Sequence, residues 1–139
     1  PMAGRERGGY AFSLPTIFEG ANFIIIRDVI QAPKEKIELL EMLIRSLGFG
    51  HITYLDYREH DHQITYTSQL SHILAVSLLN SQDYNEETKH AIGDSFRDLT
   101  RIANMNINKW NTLFFENQEN LTDAIQHLIV QLEFMQKQL

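Results

Sequence analysis

Apolar residues along this chain follow two different patterns, and the change falls near residue 57. Before it, NFIIIRD (Asn22 to Asp28) is a short β-branched run of the kind a buried strand carries. In APKEKIELLEMLIRSLGFG, Ile37, Leu40, Ile44 and Leu47 recur at the helical period. Pro33 suits the first turn of that helix and Gly48 supplies its stop. HITYLD (His51 to Asp56) is a second strand candidate only a few residues later. Strand, helix and strand with short connections predict one βαβ unit of a parallel sheet. A single unit is too little for a doubly wound domain, so it reads as the tail end of one. Residues 1–20 are Gly- and Arg-rich and turn-like, with neither period.

From Tyr57 onward the pattern is helical. Leu70, Ile73, Leu74 and Leu78 predict a helix over REHDHQITYTSQLSHILAVSLLNS. Asn80, Ser81 and Asp83 break it, and NEETKHAIGDSF reads as a short helix or a loop. Ser95 with Asp98 resembles a capping box, opening a helix that runs through Arg101. NINKWNTLFFENQENL predicts another helix with Trp110, Leu113 and Phe114 on one side. In the last helix Leu121, Ile125, Leu128, Leu132, Met135 and Leu139 recur at spacings 4-3-4-3-4, a heptad seam. The seam is either a core stripe within the chain or a dimer interface between helical domains. No proline follows Pro33, which suits long uninterrupted helices.

Composition narrows the function. At 139 residues the chain can bury one full core or form two small subdomains. A formal charge of -6 argues against nucleic acid as the main partner, so any anion site is local and built from a few placed cations. The absence of cysteine excludes disulfides and thiolate metal sites, and a reducing cytoplasm fits. The apolar runs NFIII and HILAVSLL fall well short of the roughly 20 residues a membrane span needs. No signal peptide is visible at the start, which opens on Pro1 and reads like the middle of a loop. An excised piece of a longer protein is expected.

Three clusters carry candidate chemistry. Arg97 and Arg101 lie four apart in GDSFRDLTRIA, where like charges on one helical face repel. They are either a solvated face paired with Asp94 and Asp98, or an anion clamp, since guanidinium forks bind carboxylates bidentately and keep their charge. The acidic neighbours suggest that Asp98 holds one arginine and leaves the other for a ligand. Ser68 and His72 are also four apart, and His72 lies off the apolar stripe, as a surface histidine or a ligand contact. His60 and His62 flank Asp61, but His-x-His suits a strand and no third ligand has a recognisable spacing, so no metal is expected. The chain has no G-x-G-x-x-G, no G-x-x-x-x-G-K-[ST] and no G-x-S-x-G, and its local motifs do not support an independent enzyme.

Together, PMAGRE near the start, His60-Asp61, SQLSH at 68–72 and FRDLTRIA with Trp110 nine residues after Arg101 resemble prephenate dehydrogenases in order and spacing. The C-terminal part of that family typically reads H-P-M-A-G-x-E, S-H-L-P-H and G-F-[RK]-D-x-T-R-I-A. The similarity spans nearly the whole chain, and FRDLTRIA with the downstream Trp is its most specific part. It implies a mainly α fold: residues 1–57 the C-terminal remnant of a dinucleotide-binding Rossmann domain, and 58–139 an all-helical dimerisation and substrate domain. It further implies a cytoplasmic homodimer whose full-length form oxidatively decarboxylates prephenate with NAD or NADP. The product is 4-hydroxyphenylpyruvate for tyrosine biosynthesis.

By this resemblance the general base is the histidine of H-P-M-A-G, which would precede Pro1. No catalytic residue is therefore expected in the chain, and the fragment alone should be inactive with no tightly bound coenzyme. Arg101 matches the family arginine that binds a prephenate carboxylate, and His72 the second histidine of S-H-L-P-H, a substrate contact. Ser68 sits at that motif's serine and Trp110 at a tryptophan near the pocket. Glu6, Asp61, Arg97 and Asp98 match an ionic network that positions the arginine and gates the site. Prephenate is a dianion, so fixed guanidinium charge in a partly dehydrated pocket is a physical requirement. Departures are Gln69 and Ser71 in place of the family's His and Pro, Arg5 in place of a small polar residue, and IGDSF before the arginine helix. They leave open prephenate against arogenate as substrate, and tyrosine as an inhibitor. Rival readings are a noncatalytic helical dimerisation or tyrosine-sensing module, and the substrate domain of a different Rossmann oxidoreductase.

Overall fold

The run of isoleucines after Asn22 forms strand β1 (Asn22–Ile26), and β2 (His51–Leu55) pairs beside it in parallel, with Asn22 opposite His51 and Ile26 opposite Leu55. The computed structural model describes residues 1–4, 9–27, 32–82 and 85–139. Helix α1 (Lys34–Ser46) joins the two strands, so the expected βαβ unit is present. Pro33 stands at its N-cap, and Gly48 ends it with φ +88°, a left-handed backbone that a side chain would strain. Gly50 is needed for a different reason: a Cβ there would meet the carbonyl oxygen of Gly20 at 3.0 Å, where the two chain segments are hydrogen-bonded. Met2 adds an antiparallel bridge to Asn22, which the turn-like reading of the first residues missed.

Ile25, Ile44 and Phe49 are the buried centre of this unit, with Phe18 stacked on Phe49 at 4.9 Å and Phe23 edge-on to it at 5.1 Å. Glu41, on α1, accepts a hydrogen bond from the Tyr54 hydroxyl, and this bond, with burial second, raises the phenol's pKa above its ordinary value. Ile44 is 1% exposed, so Ile44→Ala should cost about 2–5 kcal/mol in urea unfolding. Leu43→Ala, one residue away but 54% exposed, should cost under about 1 kcal/mol.

The chain divides into two units, Pro1–His60 and Asp61–Leu139. The division falls within α2 (Tyr57–Ile64), whose start is closed by a reciprocal pair: Glu59 N–H donates to Asp56 Oδ1 at 2.8 Å and Asp56 N–H to Glu59 Oε2 at 2.9 Å. The helix expected to run on to residue 81 is interrupted. Thr65–Gln69 form one π-helical turn before α3 (Leu70–Asn80), with Leu70 N–H donating to the Thr65 carbonyl five residues back. That inserted residue offsets the two helical halves by about 100° of phase, which a uniform period cannot reveal.

Of the remaining boundaries, the first settles an open alternative and the others correct the sequence reading. NEETKHA resolves as α4 (Glu86–Ala91), opened by a capping box between Asn85 and Thr88. Helix α5 spans Asp94–Thr100 with Gly93 as N-cap, so Ser95 is already inside it and caps nothing. Arg97 closes that first turn by reaching back to Asp94 and to the Ile92 carbonyl. Nor does α5 run through Arg101: Thr100 Oγ1 donates to the Phe96 carbonyl at 2.7 Å, and Arg101–Ala103 tighten into a 3-10 turn. Finally, NINKWNTLFFENQENL is not one helix, because Asn117, at φ -119° and ψ 30°, separates α6 (Ile107–Glu116) from α7 (Gln118–Gln138).

Leu70, Ala75 and Leu121 are the buried apolar centre of the second unit, where α7 packs on α3, α6 and the π turn. The heptad seam divides along its length. Leu121 is buried and Ile125 and Leu128 are half-buried, whereas Leu132 is 57%, Met135 59% and Leu139 107% exposed. Its first half is core and its second half is uncovered. Among the described residues no helix is long and apolar enough to cross a membrane.

Candidate functional site

His72 and Trp110 meet in the helical unit, their ring centroids 3.7 Å apart and tilted by 31°. Each arrives from a different element, His72 from the first turn of α3 and Trp110 from α6, with Phe114 one turn on and 5.4 Å from the indole. Asn106 starts α6 by accepting from Lys109 N–H at 3.2 Å, and so sets where Trp110 stands.

The histidine is oriented by the backbone, not by a hydroxyl. Its Nδ1 lies 3.0 Å from the carbonyl oxygen of Ser68 in the π turn. A carbonyl only accepts, so that bond requires the proton on Nδ1 and leaves Nε2 as the acceptor of the neutral ring. The ring then offers a ligand an acceptor when neutral and a second donor when protonated. Ser68 and His72 are thus brought together as their spacing suggested, but through the Ser68 main chain.

Arg101 opens the 3-10 turn after α5, and both α5 and that turn pack against α3, the helix carrying His72. Its side chain is exposed. Arg97, one turn earlier, is exposed and paired with Asp94 at 2.6 Å, not with Asp98. Arg97 therefore has the solvated, acid-paired setting that was one of its two readings. Asp98 is exposed on the same helix. Asp61 contributes its main chain: its carbonyl accepts from Thr65 Oγ1 at 2.8 Å and from Asn117 Nδ2 at 2.9 Å. Glu6 lies outside the described residues. Among the described residues no group of three His, Asp or Glu is placed to hold a metal.

Sequence reasoning passed over a polar knot beneath this surface. Thr65 and Gln69 are buried, at 2% and 4% exposure, and Asn117 donates from Nδ2 to Thr65 Oγ1 at 2.7 Å and to Gln69 Oε1 at 3.0 Å. Gln69 Nε2 donates in turn to the Leu113 carbonyl at 3.1 Å. The only signal of it in the sequence was Gln69 itself, an amide where the resemblance leads one to expect histidine. A separate groove of about 410 Å³ runs beside α7, lined by His62, Tyr66, Leu70, Asp123, His127 and Leu128 among others. His127 and Asp123 pair across one helical turn there at 3.3 Å. None of Arg101, His72, Ser68 or Trp110 lines that groove.

Comparison with known proteins agrees with this architecture. Residues 56–139 match the prephenate dehydrogenase dimerization domain. The chain is 28% identical over 137 residues to a prephenate dehydrogenase of Bacillus subtilis, covering 96% of this chain and 36% of that protein. It is 32% identical over 131 residues to one of Lactococcus lactis, covering 91% and 34%. The chain thus spans about a third of the length of these curated relatives. In structure it resembles the Aquifex aeolicus prephenate dehydrogenase solved with hydroxyphenyl propionate and NAD+, with a TM-score of 0.82 and 27% identity over 99% of this chain and 49% of that one.

Proposed function

The chain belongs to the prephenate dehydrogenase family, and from that premise we propose that it is the C-terminal part of such an enzyme, supplying substrate-carboxylate binding and dimerisation. In this reading the full-length protein carries out NAD(P)-dependent oxidative decarboxylation of prephenate to 4-hydroxyphenylpyruvate. The observation that carries it is the His72–Trp110 stack on elements that also bring in the turn of Arg101. A cyclohexadienyl carboxylate suits such a surface: its ring packs on the indole, His72 Nε2 offers a polar contact, and Arg101 takes a carboxylate in a bidentate fork. Arg97, Asp98, Asp61 and Glu6 are assigned the ionic frame around that arginine, and Ser68 its place in the pocket wall.

Coenzyme chemistry is assigned to the rest of the proposed enzyme. Helix α1, which follows β1, begins at Pro33 and Lys34, and among the described residues no glycine-rich turn there could cradle a pyrophosphate. The part of this chain in the reaction is to bind, orient and charge-match the substrate. The dimer would form through the second half of the α7 seam, where Leu132 and Met135 are exposed, and the groove beside it. Arogenate remains the alternative substrate; it differs from prephenate at the side chain and keeps the ring carboxylate that an arginine would hold.

Hydroxyphenyl propionate, the ligand of the Aquifex aeolicus structure, is the probe of choice, since it couples an aromatic ring to one carboxylate. Titrated into the full-length protein, it should bind at least about 10-fold more weakly to His72→Leu than to wild type. Equal affinity in the two proteins would remove His72 from the site.

A further inference from the structure

We propose that Gln69 and Asn117 are positioning residues that hold His72 against Trp110 by locking the π turn to the end of α6. As a device for substrate binding this rests on the reading of His72 and Trp110 given above; as a statement about ring geometry it stands without it.

A π turn is a poorly favoured insertion in a helix and persists where other contacts hold it. Here the contacts are amides. Asn117, between α6 and α7, directs Nδ2 at three acceptors on α2 and the π turn: the Asp61 carbonyl at 2.9 Å, Thr65 Oγ1 at 2.7 Å and Gln69 Oε1 at 3.0 Å. The Asp61 carbonyl, which only accepts, settles which way the amide faces, and its own Oδ1 accepts from Asn120 Nδ2 at 2.7 Å. Gln69 uses both ends of its side chain, accepting from Asn117 and donating to the Leu113 carbonyl at 3.1 Å. A carboxylate would lack the donor and a lysine the acceptor, so at this buried point an uncharged amide fits both partners.

The bonds close a loop around the candidate site. Leu113 is one helical turn from Trp110 on α6. Gln69 is the residue after Ser68, whose carbonyl orients His72. His72 completes the circuit by stacking on Trp110 at 3.7 Å. Buried at 4% exposure, Gln69 has no water to replace a lost partner, so breaking its bond to Leu113 leaves that carbonyl unsatisfied and the loop open. The ring pair is therefore held at a set separation and tilt by residues that never touch the substrate. This is the arrangement a rigid aromatic platform needs in order to be ready before the ligand arrives.

Trp110 is the single tryptophan of the sequence, which makes the geometry measurable without substrate. Imidazole in van der Waals contact quenches indole emission, so His72→Leu in the 139-residue chain supplies the unquenched reference. Gln69→Met keeps length and apolar bulk while removing both hydrogen bonds. It should move Trp110 emission at least halfway from wild type towards the His72→Leu value, at a temperature where circular dichroism shows the protein folded. Ile125→Ala, which loosens the same unit away from the loop, should leave folded-state emission unchanged. Wild-type emission from a folded Gln69→Met protein would overturn the proposal. If Gln69→Met does not fold, Asn120→Ala, which only releases the Asn117 amide, decides: a smaller shift in the same direction supports the proposal and none overturns it. Failure of hydroxyphenyl propionate binding to depend on His72 would remove the site reading while leaving this geometry intact.

Discussion

Arg101→Ala in the full-length protein should weaken prephenate binding, measured by calorimetry, by about 10- to 100-fold. Hydrogen bonds to charged groups contribute about 1.5–3 kcal/mol, and the proposed contact is a two-pronged bond from a guanidinium to a carboxylate. The exposed side chain starts from the 3-10 turn that follows α5, so its removal strips no core and the protein should unfold at nearly the wild-type temperature. Coenzyme affinity should be unaltered, which separates loss of a substrate contact from general damage. Arg101→Lys should fall between the two, since it keeps the charge and loses the fork. Unchanged prephenate affinity in Arg101→Ala would sink the carboxylate clamp. A parallel loss in Arg97→Ala would show instead that the pair with Asp94, at 2.6 Å, is needed to set the arginine helix.

The second large effect is expected on assembly. Leu132→Asp alone, and with Leu128→Asp, should convert a dimer to monomer in sedimentation velocity, raising the dimer dissociation constant by more than about 100-fold. Two-fold symmetry makes each substitution count twice, and a carboxylate buried at an apolar contact costs several kcal/mol. Leu132 is 57% exposed in the single chain, so replacing it should change monomer stability by no more than about 0.5 kcal/mol. That asymmetry is the useful part of the test: an effect on assembly without one on folding identifies an interface residue. Leu121→Asp, by contrast, places a charge at a 5% exposed position and should unfold the helical unit outright. Dimerisation unchanged by Leu132→Asp and Leu128→Asp would remove the seam from the interface.

Which features could be read in advance follows from the range of the forces behind them. The strand, helix and strand of residues 22–55 are set by local terms: β-branched runs, a proline at a helix start and a glycine past its end. Each of these acts within a few residues, and each was visible. The local pattern predicts a capping box at Ser95 and Asp98, but reciprocal caps occur at Asp56 with Glu59 and at Asn85 with Thr88. Several short polar residues in a row compete for one cap, and a local pattern does not rank them. The Arg97 side chain decided that case by tying Asp94 into the first turn.

The candidate site was legible as a set of residues and not as an arrangement. The family resemblance pointed to His72, Trp110, Ser68 and Arg101, yet gave no hint that the Ser68 carbonyl, not its hydroxyl, orients the imidazole. By itself the sequence determined the mainly helical class, the βαβ unit and the heptad seam, and through the family resemblance it named the groups proposed to meet a carboxylate and a ring. Only the tertiary structure decided that the seam is core to Leu128 and uncovered from Leu132, and that one π turn rephases the helix bearing His72. The physical reason is that a π turn is unfavourable locally and is held by Asn117, 48 residues from Gln69 in the chain. Energies of that kind arise between residues distant in sequence, and no period along the chain contains them.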